Sequence, residues 1–189
     1  MNSPVSAEPA TGFAPVVGVM PSMLVTGDDI RVLRPLRAPF SADGVRQAQA
    51  TGHERVVAIG VDLTNARSRR EIRRSFRRHV AECVPLCSRL PRLAHLVLVT
   101  GGSTDANEAH LLAVGEEVSG ATHALLEQAC GASVAVTVLV ADSSEDPFAL
   151  SLRLAQWTRR SPRINACVAL TSKELSEDPV GRAAMNAFL

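Results

Sequence analysis

The chain has no tyrosine, one tryptophan and five phenylalanines, so aromatic residues fill only 3% of its 189 positions. That leaves no stacking platform of the kind that single-stranded nucleic acid needs. Lysine is nearly missing as well, since Lys173 is the only one among twenty Lys+Arg. A proton-transfer pair of tyrosine and lysine therefore cannot be assembled anywhere in the chain. Apolar runs are short, and none reaches the ~18 residues that a membrane span requires. The opening MNSPVSAEPATGF lacks a basic segment followed by an apolar one, so it does not read as a secretion signal. The net charge of +1 gives no overall field toward nucleic acid or membrane.

Cys83, Cys87, Cys130 and Cys167 fall within apolar stretches, without a CxxC pair or a His/Cys metal spacing. They read as small core residues, with no metal site expected. Reduced thiols suit the cytoplasm, which is the expected compartment.

What is present is an ordinary globular composition, 46% hydrophobic and 21% charged. The length is that of one domain. Residues 1–14, rich in Pro, Ala and Ser, read as a disordered tail, and residues 15–189 as a single domain. Either Pro15 to Val19 or Met23 to Val25 supplies a first strand. Ile30 to Leu36 fits strand or helix, with Pro35 against a long helix, and Ala42 to Ala50 fits a short helix.

From residue 55 the pattern is plainer. RVVAIGV, Arg55 to Val61, is apolar, β-branched and bounded by Gly52 and Asp62, which predicts a strand. Ile72, Phe76, Val80, Cys83, Val84 and Cys87 recur at three- and four-residue steps and predict a helix with one apolar stripe. His95 to Thr100 predicts a buried strand and Asn107 to Cys130 a second helix. Ser133 to Val140, Pro147 to Arg160 and Ile164 to Leu170 predict strand, helix and strand. Continuous apolar strands alternating with helices imply an α/β fold. With right-handed crossovers, the expectation is a Rossmann-like three-layer αβα sandwich on a mostly parallel sheet.

The segment HLVLVTGGSTD followed by LLAVGEEVSGATHALLEQACGASVAVTVLVAD resembles the short-chain dehydrogenases/reductases, and the resemblance extends from about Arg55 to Thr171. It is similar above all to the degenerate first half of the high-molecular-weight 3-oxoacyl reductases. The resemblance implies a catalytic serine near Gly101, with Thr100 and Ser103 as neighbours, a tyrosine at Leu111 and a lysine at Gly115. Leucine and glycine at 111 and 115 cannot move protons. The first half of the nucleotide-binding fold is also truncated. Neither Val17-Gly18-Val19 nor Thr26-Gly27-Asp28-Asp29 has the three-glycine spacing of a dinucleotide turn, and two aspartates would repel a phosphate.

The resemblance thus implies a pseudoenzyme without a cofactor. It would pair with an active short-chain reductase, or with itself, in fatty-acid or polyketide biosynthesis. Three sets of candidate residues follow. Thr100, Gly101, Gly102 and Ser103, at a strand end, form a possible ligand edge and carry the alternative, a small-molecule binder or enzyme working around Thr100 to Asp105. Arg70, Arg73, Arg74, Arg77 and Arg78 are candidates for docking an acidic partner such as an acyl carrier protein, unless they are simply solvated. Leu112, Val118, Gly120, Ala121 and Leu125 are candidates for a subunit interface. Asp105, Glu108, His110, Glu116 and Glu117 read as a solvated helix start.

Overall fold

A computed structural model of the chain describes residues 23–37, 54–102, 108–159 and 167–177. The tail, the Pro15 to Val19 alternative and the Ala42 to Ala50 helix lie outside these residues. So do Ser103 and Asp105. Five strands form one sheet: β1 Met23–Gly27, β2 Val56–Asp62, β3 His95–Gly101, β4 Ala135–Val140 and β5 Cys167–Thr171. Every pairing is parallel, and the order across the sheet is β1-β2-β3-β4-β5. The α/β, Rossmann-like expectation holds.

β2, β3 and β4 are buried almost from end to end, as apolar strands covered on both faces must be. Alternate side chains feed two cores. Val57, Ile59, Val61, Leu96, Leu98, Val136 and Val138 face one layer, formed by α1 (Arg69–Cys87) and α2 (Glu108–Cys130). Val56, Ala58, Val97, Val99 and Leu139 face the other layer. That second layer holds a 3₁₀ helix (Arg31–Leu36), α3 (Pro147–Arg159) and the short α4 (Ser172–Glu177). α1 begins with a capping box: Ser68 Oγ accepts from the Glu71 amide at 3.3 Å, and Glu71 Oε2 accepts from the Ser68 amide at 3.0 Å. No helix among the described residues is long and apolar enough to cross a membrane.

One expectation needs correction. With parallel strands laid down in chain order, crossovers of a single hand would place every helix on the same face. α3 instead lies opposite α1 and α2, so the β4–α3–β5 crossover has the opposite hand to the two before it. With the 3₁₀ helix, α3 so placed makes up the sheet's third layer. It also decides where the strand ends open.

Candidate functional site

Ligands of open α/β sheets bind beyond the carboxyl ends of the strands, where neighbouring strands hand over to elements on opposite faces. There are two such places here. β1 leads to the 3₁₀ helix and β2 to α1; β3 leads to α2 and β4 to α3.

The first crevice is filled by the chain itself. After Gly27, at φ +82°, the backbone folds across the end of β2, and the Asp28 amide donates to the Gly60 carbonyl at 2.9 Å. The Ile30 side chain lies over Gly60 and Gly101. Asp28 Oδ2 accepts from the Asp62 amide at 2.8 Å, stands 3.0 Å from His79 Nε2 and is 3.8 Å from an Arg78 nitrogen. Partial burial disfavours the charge on Asp28, but the Asp62 amide, His79 and Arg78 outweigh it and hold the carboxyl below its usual range. His79 is 3% exposed in its side chain, and its Nδ1 donates to the Ser75 carbonyl at 2.8 Å. Both ring nitrogens therefore face oxygens, so this Asp–His pair is a clasp and not a base waiting for substrate. Asp29 is held by Arg34 at 3.1 Å and Arg37 at 3.4 Å.

The second crevice, between β3 and β4, is open. It is a cleft of about 240 Å³ lined by Leu63, Thr100–Gly102, Glu108, Leu111 and Val140–Ser143. Leu63, Leu111, Val140 and Thr100 are all buried, and Thr100 Oγ1 accepts from the Ala141 amide at 3.2 Å. Asp142 accepts from the Ser144 amide at 2.8 Å, and that bond keeps its carboxyl below the usual range. Glu108 opens α2. No lysine, arginine or histidine lines the cleft among the described residues.

Of the proposed ligand edge, Thr100, Gly101 and Gly102 thus line a real cleft. Its second wall, Val140 to Ser143, carries no motif that a sequence could announce. Leu111, where the resemblance implies a tyrosine, is an apolar wall of this cleft. Gly115, where it implies a lysine, packs tightly against β4 and β5. A Cβ built there would sit 2.9 Å from Ala169 Cβ and 3.0 Å from Val138 Cγ1. The helix could not lie where it does with a lysine at that position.

The interface candidates divide. Val118 is buried in the core against its own sheet and is withdrawn, because that face of α2 is the one the strands cover. Leu112 is half-buried beside that core, while Gly120, Ala121 and Leu125 are exposed, Leu125 at 43%. The arginines divide too. Arg73 Nε donates to Glu117 Oε2 at 3.0 Å across the α1–α2 contact, and Arg78 leans on Asp28. Arg69, Arg70, Arg74 and Arg77 meet no carboxylate among the described residues.

The Cys83 and Cys87 sulfurs lie 3.3 Å apart and buried. The neighbouring sulfur and burial hold the Cys83 thiol far above its ordinary range, as expected of core residues. Among the described residues no three metal-binding side chains converge. The Trp157 side chain is not among those described.

A dinucleotide would have to place its pyrophosphate over Asp28 or beside Asp142 and Glu108, with no cation among the described residues of the open cleft to meet it. Calorimetry with NADH and with NADPH should therefore show no binding at physiological concentrations; micromolar affinity for either would reverse this reading of the strand ends. Comparison with family models, with curated proteins and with solved structures found no match to this chain.

Proposed function

We propose that the chain is a non-catalytic, reductase-like subunit that pairs with an active short-chain reductase, or with itself, and stabilises or positions it. Fatty-acid or polyketide biosynthesis is the setting that the resemblance implies, and the cytoplasm the compartment. The observation that carries the reading is the state of the two key positions. Leu111 is an apolar cleft wall and Gly115 a tight helix–sheet contact, so neither can move a proton.

Two exposed features support a partner. Gly120, Ala121, Ala124 and Leu125 leave the outer face of α2 smooth enough for a facing helix to approach closely. On α1, Arg69, Arg70, Arg74 and Arg77 meet no carboxylate among the described residues; the first two stand in the first turn, where the macrodipole disfavours positive charge, and Arg70, Arg74 and Arg77 sit one turn apart. An acidic protein surface, such as that of an acyl carrier protein, would relieve both penalties.

Light scattering tests the reading, on the chain alone and mixed with a candidate short-chain reductase. The parent should form a dimer or a mixed complex. Ala121→Arg or Gly120→Arg should return it to monomer, since a charge at the centre of a buried interface costs several kcal/mol. Reversing Arg70, Arg74 and Arg77 to Glu should weaken binding of an acyl carrier protein, with steep salt dependence in the parent. A chain that is monomeric in every mixture would end the scaffold reading.

A further inference from the structure

We infer that the loop after β1 is a pH-sensitive latch, which closes the first crevice only while the His79 ring carries a proton on both nitrogens. The lock lies in what each nitrogen meets. Nδ1 stands 2.8 Å from the Ser75 carbonyl oxygen, and Nε2 stands 3.0 Å from Asp28 Oδ2. A carbonyl and a carboxylate can only accept, so each contact is a hydrogen bond only if the ring supplies the hydrogen. A neutral imidazole has one N–H and turns a bare lone pair toward the other oxygen. The side chain is 3% exposed, too buried for solvent to relieve that mismatch. Both bonds stand together in the imidazolium alone.

The charges around the ring come from three elements. From the loop, Asp28 faces it directly. On β2 the Asp62 amide donates to the same Asp28 oxygen at 2.8 Å, while the Asp62 carboxylate is taken by Thr64. Two cations share the neighbourhood: Arg78 lies 3.8 Å from Asp28 Oδ2, and Arg37 donates to the Asp28 carbonyl at 2.7 Å. The charged contact that α2 makes with α1, Glu117 to Arg73, lies more than a turn earlier on α1. Of the two ring bonds, the one to Ser75 is made within a turn of the ring's own helix and holds the ring wherever the loop lies. The bond to Asp28 joins that helix to a loop, so it is the one that yields when the ring loses a proton. Two residues on, Ile30 is 4% exposed and lies over Gly60 and Gly101, filling the crevice at the ends of β2 and β3. Releasing it uncovers a strand-end crevice of the kind at which open α/β sheets take ligands. The closed loop holds one proton more than a released loop beside a neutral ring. Closure therefore weakens as the pH rises, by up to about tenfold per pH unit.

Two measurements on the full chain across the neutral range test the latch. Ring-nitrogen shifts of His79 in NMR read its protons, and amide hydrogen exchange at Asp28 and Asp62 reads closure, since both amides bond across the loop. Exchange is taken relative to amides of β3 and β4, which removes the intrinsic pH dependence and any global unfolding. In the parent, a doubly protonated ring should lose one proton, and relative exchange at both amides should rise over the same step by up to about tenfold per pH unit. Asp28→Asn should abolish that rise: its NH₂ can donate to an unprotonated Nε2 while its oxygen still accepts from the Asp62 amide, so the loop stays closed on a neutral ring. His79→Gln cannot titrate and should also give a flat profile. Asp28 is 32% exposed, so Asp28→Asn should fold even where His79→Gln does not. The inference is overturned by a ring that carries a single proton throughout, by relative exchange that does not follow the ring, or by an Asp28→Asn loop that opens with pH like the parent's.

Discussion

Replacing Gly27 with alanine is expected to cost about 2–5 kcal/mol and to shift the urea midpoint accordingly, because two separate penalties meet at one atom. At φ +82° an L-residue is strained by roughly 1–2 kcal/mol. A methyl group there would also stand 2.4 Å from the Gly60 carbonyl oxygen and 2.9 Å from the Gly60 amide nitrogen, both backbone atoms of the neighbouring strand. Relieving that overlap means moving β1 off β2, and overpacking of this kind adds about 1–3 kcal/mol. Against a total stability of order 5–15 kcal/mol the loss is large. An alanine variant with an unchanged midpoint would mean that the turn after β1 does not fold back as described.

The second large effect is a loss of stability in mild acid. His95, at the start of β3, is 3% exposed, and its Nε2 lies 3.0 Å from Thr137 Oγ1 in the second core. Burial pushes its pKa down to about 4 from the ordinary 6.5, so the folded chain keeps the ring neutral while the unfolded chain protonates it. The sign follows from that difference. Above about 6.5 neither state takes the proton and stability is whole. As the pH falls toward 4 only the unfolded state takes it, and stability drops; below about 4 the effect levels off. Between pH 7 and pH 5 the loss is on the order of 2 kcal/mol. Asp28, whose pKa is lowered, contributes only under more acid conditions, because its stabilisation persists until the pH falls through its folded value. His95→Gln keeps a hydrogen-bonding group beside Thr137 and cannot titrate. Its unfolding free energy should be nearly flat over that interval, while an unaltered slope would assign the acid sensitivity elsewhere.

Most of the fold was legible in the residues, and the reasons are specific. β2, β3 and β4 are nearly continuous apolar runs rich in β-branched residues, and α1 announces itself through one apolar stripe. α2 was legible as a helix but not in its facing. Small and apolar residues surround it, so no single stripe separates buried Val118 from exposed Leu125. α4 is six residues that only a tertiary setting holds, with Glu174 Oε2 accepting from the Thr171 amide at 2.7 Å. The hand of the last crossover was equally hidden, because it depends on which core takes Leu150 and Leu154.

The site divides in the same way. Thr100-Gly101-Gly102 could be placed at a strand end from the sequence, since the glycines close an apolar run. The opposite wall became visible only once α2 and α3 had been assigned to different faces. Asp28 and His79 could not have been paired by any local pattern, since their meeting depends on β1 lying beside β2 and on the face of α1 that turns inward.

The order of the strands bears on how such a chain is made. Among the described strands, each one's partner is the next to leave the ribosome, and none has to slip between two that are already joined. Sheets whose middle strand comes first must hold both flanks open until distant sequence arrives. Here the sheet grows by its edge, one strand and one helix at a time, so each stage of synthesis adds to a surface already formed. A nascent chain halted after β4 already contains three of the four described strand pairings, and β5 then joins at an open edge rather than in a gap through the core.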